Sequence, residues 1–183
     1  MNKELKNKLN SIIDQDINKE NQYNSDLTIN KIEEKYNKEI PKDYKEFLLE
    51  YGVSFIKDNV MYQPIKKNPV TPEDGFDSIG YFFGLTGDSY DIKEAIKAYQ
   101  DIIENSFLPI ADADGGDLIC LGIKEDIRGK VYYWYHEDEI ENNFYLIANS
   151  FKEFIFSFKT HERENKLDLD EIEISLDEDL LND

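Results

Sequence analysis

One cysteine, two histidines and one tryptophan are spread over 183 residues. A lone Cys120 cannot form an internal disulfide, which fits a reducing compartment. Basic residues are scarce as well: 21 Lys and Arg stand against 40 Asp and Glu, for a net charge of −19. Phosphate binding needs Lys and Arg, so this balance disfavours nucleic acid or an anionic membrane surface as the main ligand. It favours a basic partner, or solubility alone. No run of about 18 apolar residues exists to span a bilayer. Met1-Asn2-Lys3-Glu4-Leu5 has no apolar h-region and no small-residue cleavage site, so it does not read as a signal peptide. The expected location is the cytoplasm.

Aromatics, in contrast, are plentiful. Twelve Tyr and 11 Phe can fill a substantial core and exclude a wholly disordered chain. A domain of about 130 residues buries roughly two-thirds of its unfolded surface and needs no staple. The Lys-, Asn-, Ile- and Glu-rich composition matches an AT-rich bacterial coding bias. No repeat of period about 20–50 residues is visible.

The first segment reads as an amphipathic helix, with Leu5, Leu9, Ile12, Ile13 and Ile17 at helical spacing. Lys19 to Ser25 is polar and reads as a linker. A second helix is expected from about Leu27, with Ile29, Ile32 and Tyr36 on one face. Pro41 and Asp43 suit the start of a third, whose apolar stripe is Tyr44, Phe47, Leu48 and Tyr51. Gly52 is placed to end it in a left-handed conformation. Short strands are expected at 53–56 and 60–63, on either side of a polar turn, followed by a loop at 66–75. Residues 76–85 suggest a bent strand. Asp91 with Glu94 opens a helix carrying Ile92, Ala95, Ile96, Tyr99, Ile102 and Ile103.

Strands then dominate: 107–111, the nearly continuous apolar run 117–123, Val131 to Tyr135, and 144–148. Ser150 and Glu153 make a capping box for a final helix striped by Phe151, Phe154, Ile155 and Phe158. From Asp168 onward there are eight acidic residues and no basic one, in a segment that is either disordered or an extra strand. Strands in runs rather than in strict alternation with helices indicate α+β, with helices on one face of a mostly antiparallel sheet. The divisions are an N-terminal helix and linker at 1–26, a domain at 27–159, and an acidic tail at 160–183.

Chemical motifs are few. Asp112 to Asp117 (DADGGD) begins like a calcium loop, but position six is Asp117 and position twelve is Ile123, so that pattern fails. A Gly-Gly turn is expected there instead. His136, beside Glu137, Asp138 and Glu139, could be paired with His161 in a metal site, yet the spacing fits no ligand motif, and a solvated turn is expected. Cys120 lies among apolar neighbours that make a thiol inert. The serines lack a nucleophile-elbow context, and no phosphate cradle is present. No catalytic residue, metal or cofactor is therefore expected. Tyr132 to Tyr135 form an aromatic strand whose alternate rings serve the core or a recognition surface.

The order of segments resembles the SMI1/KNR4 family, the SUKH superfamily. The match at the start is Ile40, Pro41, Asp43, Tyr44, Phe47, Leu48 and Gly52. Phe107-Leu108-Pro109-Ile110-Ala111 and Gly115 to Leu121 resemble the family's central pair of strands. Lys130 to Trp134 with His136-Glu137 resemble the next strand, and Ala148-Asn149-Ser150-Phe151 with Phe154 resemble the closing helix. The resemblance covers roughly 27–158. The usual Asn-Gly after the second matched helix is Tyr51-Gly52-Val53 here, which implies a different turn.

The resemblance implies an α+β fold with a central, mostly antiparallel sheet of about five or six strands flanked by helices. It also implies a role: bacterial members typically act as immunity proteins that bind and neutralise a cognate polymorphic toxin, often a nuclease or deaminase. Fungal members are regulatory scaffolds, which is the alternative role. An unrecognised metal-dependent hydrolase built on Asp112, Asp114, Asp117 and His136 is a third. An open sheet face and its adjoining loops are free to bind, and the residues nominated for a toxin are Asp88, Tyr90, Asp114, Asp117, Tyr133, Tyr135 and Glu137.

Overall fold

Local signals start most of the helices. In the computed structural model, which describes residues 1–21, 25–138 and 143–161, α1 (Lys3–Ile12) begins on Asn2. The Asn2 side-chain oxygen accepts from the Leu5 N–H at 2.8 Å. Its apolar stripe buries Leu5, Leu9 and Ile12, and Ile13 follows them into the core. Ile17 stays 54% exposed, because the helix has ended by then. α2 (Ser25–Tyr36) buries Ile29 and Ile32, and α3 (Lys42–Tyr51) buries Tyr44, Phe47 and Leu48.

Gly52 closes α3 with φ 62° and ψ −150°, a positive-φ conformation outside the left-handed helical well. The cause lies in the preceding segment. Lys19 and Val53 exchange backbone hydrogen bonds of 2.9 and 3.2 Å beside Gly52. A Cβ on Gly52 would penetrate the Lys19 carbonyl oxygen. Gly52→Ala is therefore expected to cost about 3 kcal/mol and to lower the melting temperature by roughly 6–12 °C. Thermal denaturation followed by circular dichroism reads this; an unchanged melting temperature would contradict the close approach.

Six strands form the main sheet: β1 (Ser54–Phe55), β3 (Tyr81–Phe82), β4 (Phe107–Asp112), β5 (Leu118–Gly122), β6 (Val131–Trp134) and β7 (Phe144–Ala148). Their spatial order is β1-β3-β4-β5-β6-β7, with every neighbouring pair antiparallel. β2 (Val60–Tyr62) does not pair with β1 across the intervening turn. It forms a separate two-stranded ribbon with β8 (Phe158–Thr160). Between β3 and β4 lies α4 (Ile92–Tyr99), capped by the Asp91 carboxylate on the Lys93 N–H at 2.8 Å. It stops at Tyr99, short of the apolar residues expected to extend it: Ile103 is buried beyond the helix, and Ile102 is exposed. α5 (Phe151–Ser157) begins where Ser150 Oγ accepts from the Glu153 N–H at 3.1 Å.

Strand register sorts the side chains. Phe82, Ala111, Ile119, Tyr133 and Tyr145 lie opposite one another across the sheet and share one face. That face packs under α3 and α5, where Phe82 meets Phe47 at 5.0 Å and Phe151 at 6.0 Å between ring centroids. Tyr81, Asp112, Leu118, Trp134 and Phe144 share the other face. It is not left open: α4 lies against it, with Tyr99 edge-on to Trp134 at 5.6 Å. Helices on one face alone would leave the all-apolar strand Leu118–Gly122 half in water, whereas every residue of it is buried. Cys120 is among them, and burial pushes its thiol pKa up. Helix α1 joins the same core, touching α5. The acidic segment from Asp168 lies outside the described residues.

Candidate partner-binding site

The turn between β4 and β5 and the end of β6 come together at one corner of the sheet. The turn is a single 3-10 turn at Asp114–Gly116, with Gly115 and Gly116 at φ 78° and 95°. It is the Gly-Gly turn expected from sequence, and it delivers Asp117 to the base of β5. Asp117 is only 2% exposed and acts as a hub. Its Oδ2 accepts from the Tyr133 hydroxyl at 2.6 Å. Its Oδ1 accepts from the His136 backbone N–H at 2.9 Å and lies 2.6 Å from His136 Nδ1. A carboxylate already accepting two protons leaves Nδ1 as the donor, which sets the imidazole tautomer. His136 is 40% exposed at its side chain, as a solvated turn requires, but its ring is tied to a buried anion.

Beside this corner is a cleft of about 370 Å³. One wall comes from the loop after β2, with Val70, Pro72, Phe76, Asp77 and Ser78. The other wall holds Gly115, Asp117, Tyr133, Tyr135, His136 and Glu137, and Met61 of β2 also lines it. Tyr135 donates its phenolic proton to Glu137, and that carboxylate raises the phenol to about 12. Asp77 is 6% exposed; its Oδ2 accepts from Asn68 Nδ2 at 2.9 Å and Thr71 Oγ1 at 2.8 Å. Burial raises its pKa, and those two hydrogen bonds counter part of the rise. Phe76 stacks on His161 at 4.6 Å, and His161 Nε2 lies 3.1 Å from Asp74 Oδ2.

Of the nominated residues, the structure gathers Asp117, Tyr133, Tyr135 and Glu137 at this cleft. Two of these, Asp117 and Tyr133, are buried supports rather than exposed contacts. Asp114 lies in the adjoining turn. Asp88 and Tyr90 lie elsewhere. Asp88 borders a second hollow of about 490 Å³ on the α4 side, lined also by Tyr81, Glu94, Tyr99 and Asp112. It accepts from Thr86 Oγ1 at 2.7 Å, from Lys19 Nζ and from the Tyr90 N–H, which hold its carboxyl down to about 2, Thr86 contributing most. Tyr90 packs on Tyr81, and Lys19 Nζ sits 3.9 Å from the centre of its ring.

The register also separates Asp112 from Asp117 and His136, since Asp112 points to the opposite face. The four residues considered for a hydrolase therefore do not meet at one centre. Among the described residues, no three His, Cys, Asp or Glu side chains gather as a metal site requires. His136 and His161 take separate carboxylates. Sequence reasoning missed Phe76, Asp77 and the Asp117–His136 contact. The first two open the segment 76–85 expected as a bent strand, whereas the strand forms only at Tyr81–Phe82 and Asp77 instead bridges to Tyr62. The contact had only part of a signal: antiparallel pairing of β5 with β6 puts Asp117 level with Tyr135, one residue short of His136.

Residues 26–155 match the family model described as SMI1-KNR4 cell-wall. The chain belongs to the SMI1/KNR4 (SUKH) family. The cleft residues named above lie within the SMI1/KNR4 match, whereas α1, β8 and His161 lie outside it. A relative in Bacillus subtilis strain 168 is named SPbeta prophage-derived uncharacterized protein YokK. It is 33% identical over 171 residues, covering 87% of this chain and 88% of its own length, a longer stretch than the family match. Among the described residues of this SMI1/KNR4 protein, no helix is long and apolar enough to cross a membrane.

Proposed function

We propose that this chain is a non-catalytic immunity protein of the bacterial cytoplasm that binds and neutralises a cognate polymorphic toxin. The observation that carries the reading is the family match over residues 26–155. The prophage origin in the relative's name is compatible with a gene that travels with a toxin system. A toxin that acts on nucleic acid needs a basic cleft. A body at −19 offers carboxylates where phosphates would lie, speeding encounter and competing with the substrate.

Co-expression with the toxin encoded in the neighbouring reading frame is expected to restore growth. Purified toxin and this chain are expected to associate about 10-fold or more slowly when salt is raised from low to several hundred millimolar. Absence of both rescue and binding would overturn the pairing.

A further inference from the structure

The cleft beside Asp117 has a lining of one electrostatic sign. Its described charged residues are Asp77, Asp117 and Glu137, with no Lys or Arg among them. The one imidazole present, His136, already has Nδ1 committed to Asp117. Asp77 is buried and held by two neutral donors, Asn68 and Thr71. A carboxylate in that position gains from a cation brought alongside it, and burial has raised its pKa accordingly. The rings of Phe76, Tyr133 and Tyr135 line the same cleft as these carboxylates. Rings and carboxylates together favour a flat, weakly hydrated cation that stacks and donates in pairs, which describes a guanidinium better than an ammonium. The volume, about 370 Å³, admits one long side chain rather than a whole helix.

We propose that this cleft is the seat for an arginine side chain projecting from the protein partner, with Glu137 and Asp77 facing the guanidinium and Tyr135 and Phe76 stacking on it. The inference rests on the immunity reading for the identity of the partner, but the seat is testable without a toxin. The probe is N-acetyl-arginine methylamide, titrated into the ¹⁵N-labelled full chain. Its neutral isostere, N-acetyl-citrulline methylamide, and the lysine analogue serve as comparisons.

Saturable shifts are expected at the amides of Gly115, His136 and Glu137, with citrulline at least about 10-fold weaker and lysine between the two. Glu137→Gln is expected to weaken the arginine probe about 5-fold or more, while Glu94→Gln, in the second hollow, leaves it unchanged. Glu137 is exposed, so its substitution does not threaten folding. No saturable shift, equal binding of citrulline, or shifts centred on Tyr81 and Glu94 would overturn the seat. With purified toxin, the double variant Tyr135→Ala, Glu137→Gln is expected to weaken the complex about 10-fold or more. Wild-type affinity in that variant would overturn the seat as a toxin contact and leave the immunity reading standing. Loss of rescue by the unmutated chain, with the probe still bound, would overturn the toxin partner and leave the cleft chemistry intact.

Discussion

A chain trimmed to residues 26–155 is expected to be largely unfolded at room temperature, although these are the residues that define the family match. Trimming removes Leu5, Leu9, Ile12, Ile13 and Phe158 from the core, each almost wholly buried. At about 1.5–3 kcal/mol for each apolar side chain, the loss is on the order of 10 kcal/mol. Whole domains of this kind are stable by only about 5–15 kcal/mol.

Backbone pairing is lost as well. Residues 13–19 run along the outer side of β1 through bridges Ile13–Ile56 and Lys19–Val53. The Lys57 N–H donates to the Ile12 carbonyl at 3.0 Å. Without this segment the sheet would end on an uncovered edge, and β2 would lose its partner β8. Amide dispersion in an NMR spectrum and the far-ultraviolet circular dichroism of the trimmed chain test the expectation. A cooperative melt within a few degrees of the full chain would show that the flanks are dispensable.

Asp117→Ala is expected to cost about 3–5 kcal/mol and to lower the melting temperature by roughly 6–20 °C. The variant takes away the acceptor of the Tyr133 hydroxyl and of the His136 N–H, and the anion beside His136 Nδ1. These groups tie the turn before β5 to the end of β6, so the cleft wall would loosen with the fold. Asp117→Asn keeps the shape and one acceptor oxygen and should lose about half as much. Tyr133→Phe alone should cost about 1.5 kcal/mol, and much less in the Asp117→Ala background, because the partner is already gone. Urea titrations of the four proteins read the cycle. Additive losses would mean that the hydroxyl and the carboxylate do not act as a unit.

What could be read from sequence divides by distance along the chain. Asn2, Asp91 and Ser150 set helix starts through hydrogen bonds two or three residues away, so the start of α5 was legible in the Ser150–Glu153 spacing and that of α4 in Asp91. The strands 131–134 and 144–148 declare themselves by β-branched and aromatic content, and 118–122 by its unbroken apolar run. Pairing was harder. Val60–Tyr62 looks like the neighbour of Ser54–Phe55, yet its partner is Phe158–Thr160, nearly a hundred residues on. Strands of two or three residues hold too little pattern to choose between partners.

The site divided the same way. Tyr133, Tyr135 and Glu137 stood out as one cluster, and Asp117 comes to join them through the hairpin register. Asp88 and Tyr90 share their chemistry but sit on the other side, because residue type says nothing about which face a loop reaches. His136, among acidic neighbours, read as part of a solvated turn, and the fold sets its ring against the buried Asp117.

The closure of α1 against α5 bears on when this protein becomes active. Lys8 Nζ donates to the Phe158 carbonyl at 2.6 Å across 150 positions of sequence. During translation the first helix leaves the ribosome long before the surface it covers has been made. Such separated contacts place the chain among slower-folding topologies, and the nascent chain stays incomplete until its last helix is free. On the immunity role proposed above, a cell must therefore synthesise this molecule to nearly full length before it faces the toxin.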